Sequence, residues 1–220
     1  MPKDFAIVLN NGSLNSAVVT AMASQRFRPI MIFADMSSGA QPRIRAAYDQ
    51  QVAHFKPYRE YSVPIAHAGS AAPGTGAVAA AATDPRTGAN IGPQLLELLP
   101  VLALAVKSAS THNAGAIYMG LRVGPGTDEL AQASEFVQIW SELIQLPCGL
   151  ADVELQTPLL ELEPWQVVDV GFNVSAPFER SWSCLEQTAD PCWSCRGCRT
   201  REAAFQQAGK PDPLRGGKKN

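Results

Sequence analysis

The order in which apolar runs alternate with helical stretches restricts the fold of this chain more than any other feature. Phe5–Leu9 (FAIVL) is a short run of strand formers, followed by the small-residue turn NNGSLNS and a helical stretch over 17–24. Residues 30–34 (IMIFA) read as a second buried strand, 43–55 as an amphipathic helix and 60–63 as a third strand. Residues 95–110 then read as a helix despite Pro100, Ala116–Met119 as a strand, 129–144 as a helix and 153–156 as the last strand. Parallel strands cannot be joined by tight hairpins, so this alternation implies right-handed helical crossovers. The expected architecture is α/β, a parallel sheet covered on both faces, with ligands at the carboxyl ends of its strands.

Length and composition fit that architecture. At 220 residues and 46% hydrophobic content the chain can bury one substantial core. We expect an α/β domain over 1–176, a small helical module over 177–213 and a mobile basic tail over 214–220. Residues 66–92 are rich in Ala, Gly and Pro without periodicity and are expected to form a mobile loop. A net charge of -2 argues against a surface built for nucleic acid. The start, MPKDFAIVLNN, lacks a basic segment followed by a long apolar one, so a reducing cytoplasmic setting is expected. The longest apolar stretch, LLELLPVLALAV, is broken by Glu97 and Pro100 and followed by Lys107, which favours a buried helix over a membrane span.

Four cysteines near the C-terminus, Cys184, Cys192, Cys195 and Cys198, are spaced CxxxxxxxCxxCxxC. Thiolates three positions apart on tight turns can converge on one tetrahedral ion, with the fourth closing the site from upstream. Zinc is favoured on ligand type, with an iron–sulfur cluster and disulfides as alternatives. A closed four-thiolate shell leaves no position for water or substrate, so the metal is expected to hold structure while chemistry happens elsewhere. Trp182 and Trp193 flank the knot as expected shields. Arg196, Arg199 and Arg201 form a basic cluster that could bind an anion or stay solvated. Cys148 is expected to be a small packed residue. His54, His67 and His112 lack metal-ligand spacing.

The turn after the first strand, Asn11, Gly12, Ser13, Leu14, Asn15 and Ser16, stands where backbone N–H groups and a helix dipole can hold an anion. Its alternative reading is a plain turn with Asn15 or Ser16 as helix N-cap. Here the residues carry a resemblance. LNNGSLNS resembles an SGGxDS pyrophosphate loop, and PLLELEPWQVVDVGFNVSAPFERSWSC with PCWSCRGCRTREAAFQQAGKPDP resembles the C-terminal part of 7-cyano-7-deazaguanine synthases. In that family a helix rich in charged residues, a TWSC-like segment, CxxCxxCxxR and a closing AG.xDP follow one another.

The resemblance implies a five-stranded parallel sheet of the adenine nucleotide alpha-hydrolase (PP-loop) type, a zinc module and a homodimer. It also implies ATP and Mg²⁺ at the loop, adenylation of a deazapurine carboxylate and its conversion with ammonia to a nitrile, on the route to queuosine. Gly12, Leu14 and Ser16 agree with the family loop, whereas Asn11 stands for its first Ser, Ser13 for its second Gly and Asn15 for its Asp. Ser13 adds a side chain where backbone should approach phosphate, and Asn15 removes a carboxylate from the metal's neighbourhood. After the fourth strand, GLRVGPGTDELAQASEF keeps Glu135 and Phe136 but replaces the family's YPDCR with Glu129, Leu130, Ala131, Gln132 and Ala133. The family's PxRN finds only IGPQL. Two functions follow. One is a divergent ATP-dependent carbon–nitrogen ligase in which Asp35, Asp128 or Glu129 takes over electrostatic work. The other is a catalytically silent scaffold that binds a nucleotide, a deazapurine or a protein partner. No catalytic residue is assigned from sequence.

Overall fold

A computed structural model describes residues 3–35, 42–65, 91–126, 128–186 and 188–216. Five strands, β1 (Phe5–Leu9), β2 (Arg28–Asp35), β3 (Arg59–Pro64), β4 (Ala116–Met119) and β5 (Glu154–Gln156), form one sheet in the order β3-β2-β1-β4-β5. All four pairings are parallel, with Ile7 opposite both Ile30 and Ile117. Among the described residues seven α-helices accompany them, α1 (Leu14–Ser24), α2 (Pro42–Phe55), α3 (Gly92–His112), α4 (Asp128–Gln145), α5 (Pro164–Asn173), α6 (Arg196–Gln207) and the single turn α7 (Pro213–Gly216), with a 3-10 turn at Phe178–Arg180.

Side chains alternate across a strand, so the sheet feeds two cores. Ala6, Val8, Ala116 and Tyr118 point to one face, where Val18 and Val19 of α1, Val167 and Val168 of α5 and Phe205 of α6 close over them. Ile7, Leu9, Ile30, Ile32, Ile117 and Met119 point to the other, against Leu102, Ala105 and Ala109 of α3 and Ile144 of α4. Met31 and Phe33 continue the first face toward Tyr48 of α2. The expected five-stranded parallel sheet is therefore present. The C-terminal module packs into the first of these cores: Phe178 and Phe205 are 1% and 2% exposed, each worth roughly 1.5–3 kcal/mol on burial.

Three sequence expectations change. Helix α3, the one described helix long and apolar enough to cross a bilayer, lies along the sheet and buries only the stripe Leu95, Leu102, Ala105 and Ala109, leaving Leu96 and Leu99 exposed. Helix α5, expected to be rich in charge, carries a single charged residue, Asp169; Glu163 precedes it as N-cap in a capping box with Gln166. The expected tail begins in order, since residues 214–216 belong to α7, where Arg215 pairs with Glu202. Of the expected loop, residues 66–90 lie outside the described residues, as does His67, while Ile91 and Gly92 open α3.

Candidate functional site

The turn between β1 and α1 folds on its own side chains. Ser13, rather than Asn15 or Ser16, is the N-cap, because its extended backbone (φ -75°, ψ 170°) turns Oγ to accept from the Ser16 N–H at 3.2 Å. Gly12 sits at φ +76°, and a Cβ there would stand 2.5 Å from the Ile44 carbonyl oxygen, so only glycine fits. Asn10 Oδ1 accepts from the Gly12 N–H at 2.8 Å, and Asn11 Oδ1 accepts from the Ser13 N–H at 3.2 Å and from the Ser16 hydroxyl at 2.7 Å. The Asn11 N–H is itself taken by Ser16 Oγ at 3.2 Å. Four loop amides, those of Asn11, Gly12, Ser13 and Ser16, thus already have side-chain partners. Asn15 donates Nδ2–H to the Gly120 carbonyl at 3.2 Å, joining α1 to the end of β4. A carboxylate there would have no hydrogen to give and would face a carbonyl oxygen.

Buried polar groups hold the turn from behind. Asn10, 2% exposed, donates to Thr20 Oγ1 at 2.9 Å and Gln51 Oε1 at 2.8 Å. Gln51, fully buried on α2, donates to the carbonyls of Gly12 (3.2 Å) and Arg180 (3.1 Å), and the Trp182 N–H also reaches the Gly12 carbonyl at 2.9 Å. The segment leading into the cysteine knot is therefore bonded directly to the loop.

The loop borders a cleft of about 830 Å³ at the carboxyl ends of β1, β2 and β4. Asn11, Ser13, Asn15 and Ser16 form one side; Gly12 and Leu14 do not line it. Ile32, Phe33, Leu98, Val101, Met119 and Leu121 supply apolar wall, and Asp35, Arg45, Gln94, Glu97 and Arg122 supply polar groups. Of the carboxylates considered from sequence, Asp35 reaches the cleft, whereas Asp128 and Glu129 start α4 and do not line it. Arg45 is engaged, pairing with Asp49 and hydrogen-bonding Ser62. Arg122 is partly buried, and burial draws its guanidinium below its ordinary value, an effect that the Glu163 carboxylate offsets in part. Arg122 and Gln51 were given no role from sequence; Arg122, three residues past Met119, stands in the segment GLRVGP where the resembled family shows GxNxED, and the rule that ligands meet strand ends could have flagged it.

The four cysteines converge. All four Sγ atoms lie within 4.8 Å of one another, with separations of 3.6 Å (Cys184–Cys192), 3.9 Å (Cys184–Cys195) and 4.0 Å (Cys192–Cys198). A tetrahedral shell with metal–sulfur bonds of about 2.3 Å spaces its sulfurs about 3.8 Å apart, so the donor set fits a single ion. The separations exceed the roughly 2.05 Å of a disulfide, and all four thiols are free. Backbone N–H groups of Leu185, Cys195 and Cys198 point at the sulfurs. The Ser194 hydroxyl and amide, with the Cys195 N–H, pull the Cys192 thiol down to about 6. Burial pushes the Cys198 thiol up to about 12, which a bound cation would reverse. Gly197 is required by contact: a Cβ there would lie 2.0 Å from the Ser183 carbonyl oxygen.

The arginines around the knot separate. Arg201 is 3% exposed and is spent inside, on Asp212 (2.6 and 2.8 Å), the Ser181 hydroxyl (2.8 Å) and the Phe178 carbonyl (2.9 Å). It is not part of a solvated or anion-binding cluster. Arg196 and Arg199 are exposed. Arg43 stacks on Trp182 and Arg215 on Trp193, at 5.9 and 4.7 Å from the ring centres. Cys148, expected to be packed, is exposed in the turn after α4. His112 bonds the Tyr61 hydroxyl at 2.9 Å and His54 lies edge-on to Phe55, so neither serves the cleft.

Fold and site together define an α/β protein with a five-stranded parallel sheet of the PP-loop type and a cluster of four cysteines able to hold a metal ion. A family model described as queuosine biosynthesis protein QueC matches residues 99–209, half of the chain, and the chain belongs to that family. It is 33% identical over 115 residues to a 7-cyano-7-deazaguanine synthase of Chloroherpeton thalassium, covering 52% of this chain and 51% of that protein. It is 31% identical over 114 residues to the one of Koribacter versatilis, covering 52% and 48%. The chain thus matches about half the length of these relatives. Among solved structures, an NMN synthetase from Francisella tularensis aligns with a TM-score of 0.51 at 14% identity, over 96% of this chain and 79% of that one, a likeness of fold alone. The loop at 11–16 lies outside the family match, whereas Arg122 and the knot lie within it.

Proposed function

We propose that this chain is a zinc-stabilised ligand-binding protein of the 7-cyano-7-deazaguanine synthase type. Its cleft takes a deazapurine or related purine-like molecule, and it does not carry out the ATP-dependent conversion of carboxylate to nitrile. One observation carries this reading: four loop amides are occupied by Asn10, Asn11, Ser13 and Ser16 side chains. Activating a carboxylate as its adenylate needs those donors, and a metal, to balance the charge of the leaving pyrophosphate. The reading gives Cys184, Cys192, Cys195 and Cys198 one structural Zn²⁺, favoured over an iron–sulfur cluster by sulfur spacings that suit a single ion. It also includes a homodimer, supported by Leu96 and Leu99 on α3 and Ile139 and Leu143 on α4, all exposed.

The test is calorimetry of ATP with Mg²⁺, followed by a pyrophosphate-release assay with 7-carboxy-7-deazaguanine and ammonia. The expected result is no ATP binding at millimolar nucleotide and no release. Saturable ATP binding with release above background would overturn the reading in favour of an active ligase. That second reading rests on Asp35 and Glu97, two carboxylates on the cleft wall that could hold Mg²⁺ in place of an Asp at position 15.

A further inference from the structure

We propose that Arg122 is the anion receptor of the cleft, binding an acidic group of the ligand at the carboxyl end of β4 instead of at the loop. This rests on the cleft being a ligand site and adds the chemistry by which it selects. The loop offers little: its amides at Asn11, Gly12, Ser13 and Ser16 are bonded to side chains, and Asn15 is turned to the Gly120 carbonyl. Arg122 is in the opposite state. Its one hydrogen bond among the described residues is a long contact from Nη1 to the Leu162 carbonyl, 3.4 Å. None of the ion pairs among the described residues includes it. Guanidinium groups carry five donors in a planar fork, so most of this one's capacity is unspent.

The backbone holds this side chain in place. The N–H groups of Val123 and Gly124, directly after Arg122, both donate to the Leu160 carbonyl, at 2.9 and 3.0 Å, fixing the segment to the β5–α5 connection. Glu163, the N-cap residue of α5, is the carboxylate that bears on Arg122, but the two form no ion pair among the described residues. The other cation on the cleft wall, Arg45, is occupied by Asp49. Glu97 and Asp35 on the same walls would repel an acid that approached elsewhere, so an oxyanion, carboxylate or phosphate, has one favourable place to go. Partial removal from water strengthens the attraction relative to an exposed arginine.

The experiment uses two pairs of probes, indole-3-carboxylate against indole-3-carboxamide and AMP against adenosine, titrated into the full chain and followed by protein NMR shifts. The acid of at least one pair should bind at least about tenfold more tightly than its neutral counterpart, and the pair concerned tells carboxylate from phosphate. Arg122→Gln should abolish that preference while leaving the neutral probe's affinity within twofold. Arg122→Lys should keep part of it. Unchanged melting temperatures confirm that the variants are folded. Absence of any acid preference up to 5 mM probe, or a preference that survives Arg122→Gln, overturns the proposal. A preference lost instead in Ser13→Ala overturns it too, since the loop would then be the receptor. ATP-dependent turnover would show an active ligase without bearing on Arg122, whose role is read from binding alone.

Discussion

Removing Asp212 should damage this protein far more than its place near the chain's end suggests. Asp212 and Arg201 form a two-toothed ion pair of 2.6 and 2.8 Å, with side chains 5% and 2% exposed. Asp212→Ala leaves Arg201 with the Ser181 hydroxyl and two carbonyls but no counter-charge. Stranding a buried charge costs about 3–5 kcal/mol. For a chain of this size each kcal/mol lowers the melting temperature by roughly 2–4 °C, so a drop of about 6–20 °C is expected. Asp212 also accepts from the Leu214 N–H at 3.0 Å, so α7 should loosen with it. Differential scanning calorimetry of Asp212→Ala, Arg201→Met and the double variant gives the measurement. The double variant, lacking the stranded charge, should be more stable than Asp212→Ala by 1 kcal/mol or more. A loss under about 1 kcal/mol in Asp212→Ala, the value of an exposed pair, would refute the reasoning.

Metal removal should act on the same region: a chelator, or Cys198→Ser, is expected to abolish retention of one metal ion per chain, lower the melting temperature and raise amide exchange over 181–207, and an unchanged melting curve would refute a structural metal. Restoring the family loop needs three changes together, since Asn11 as well as Ser13 occupies loop donors; Asn11→Ser, Ser13→Gly and Asn15→Asp combined should gain ATP·Mg²⁺ binding, at a stability cost of about 1–3 kcal/mol from the lost Asn15–Gly120 bond, read by calorimetry and urea melts. Tyr48 is 1% exposed, and burial first, then the charge of Glu60, raises its phenol well above the ordinary 10.0. Above about pH 10 the unfolded chain therefore releases a proton that the native state keeps, so stability should fall with rising pH by up to about 1.4 kcal/mol per unit from this group. Tyr48→Phe should flatten that slope, measured by urea melts from pH 9 to 11.

The sheet was legible because its central strands are short apolar runs that no amphipathic helix would carry. Phe5–Leu9 and Ala116–Met119 were read to the residue, and β2 and β3 extend their readings by a residue or two at each end. Helix ends were less legible, since α1 starts at Leu14 through a cap whose hydrogen bond depends on the backbone angles of Ser13. Helix α5 carries a readable signature, Glu163 followed three residues later by Gln166, yet its apolar face makes sense only beside Phe178. The knot was legible for the opposite reason. Cysteine spacing along a turn fixes sulfur convergence locally, without help from the rest of the fold. Arg201 was misread because burial is a tertiary fact: its partner lies eleven positions on, across α6.

The loop shows where reading by substitution falls short. Position by position, Asn11, Ser13 and Asn15 look like three losses from a phosphate site. In three dimensions they are connected, because Asn11 Oδ1 takes the Ser13 amide and the Ser16 hydroxyl while Ser13 Oγ takes the Ser16 amide. Two of the replacements, Asn11 and Ser13, satisfy donors that a phosphate would otherwise meet, while Asn15 gives its own N–H to the Gly120 carbonyl. Random decay would leave such donors facing solvent, with no reason for their partners to be supplied by neighbouring residues. Meanwhile Gly12, Asn10, Gln51 and the Trp182 amide keep the turn in shape and tie it to the segment that enters the knot. The geometry is that of a loop closed on itself inside an intact frame, and it leaves the unspent charge of Arg122 as the group that decides what the cleft can hold.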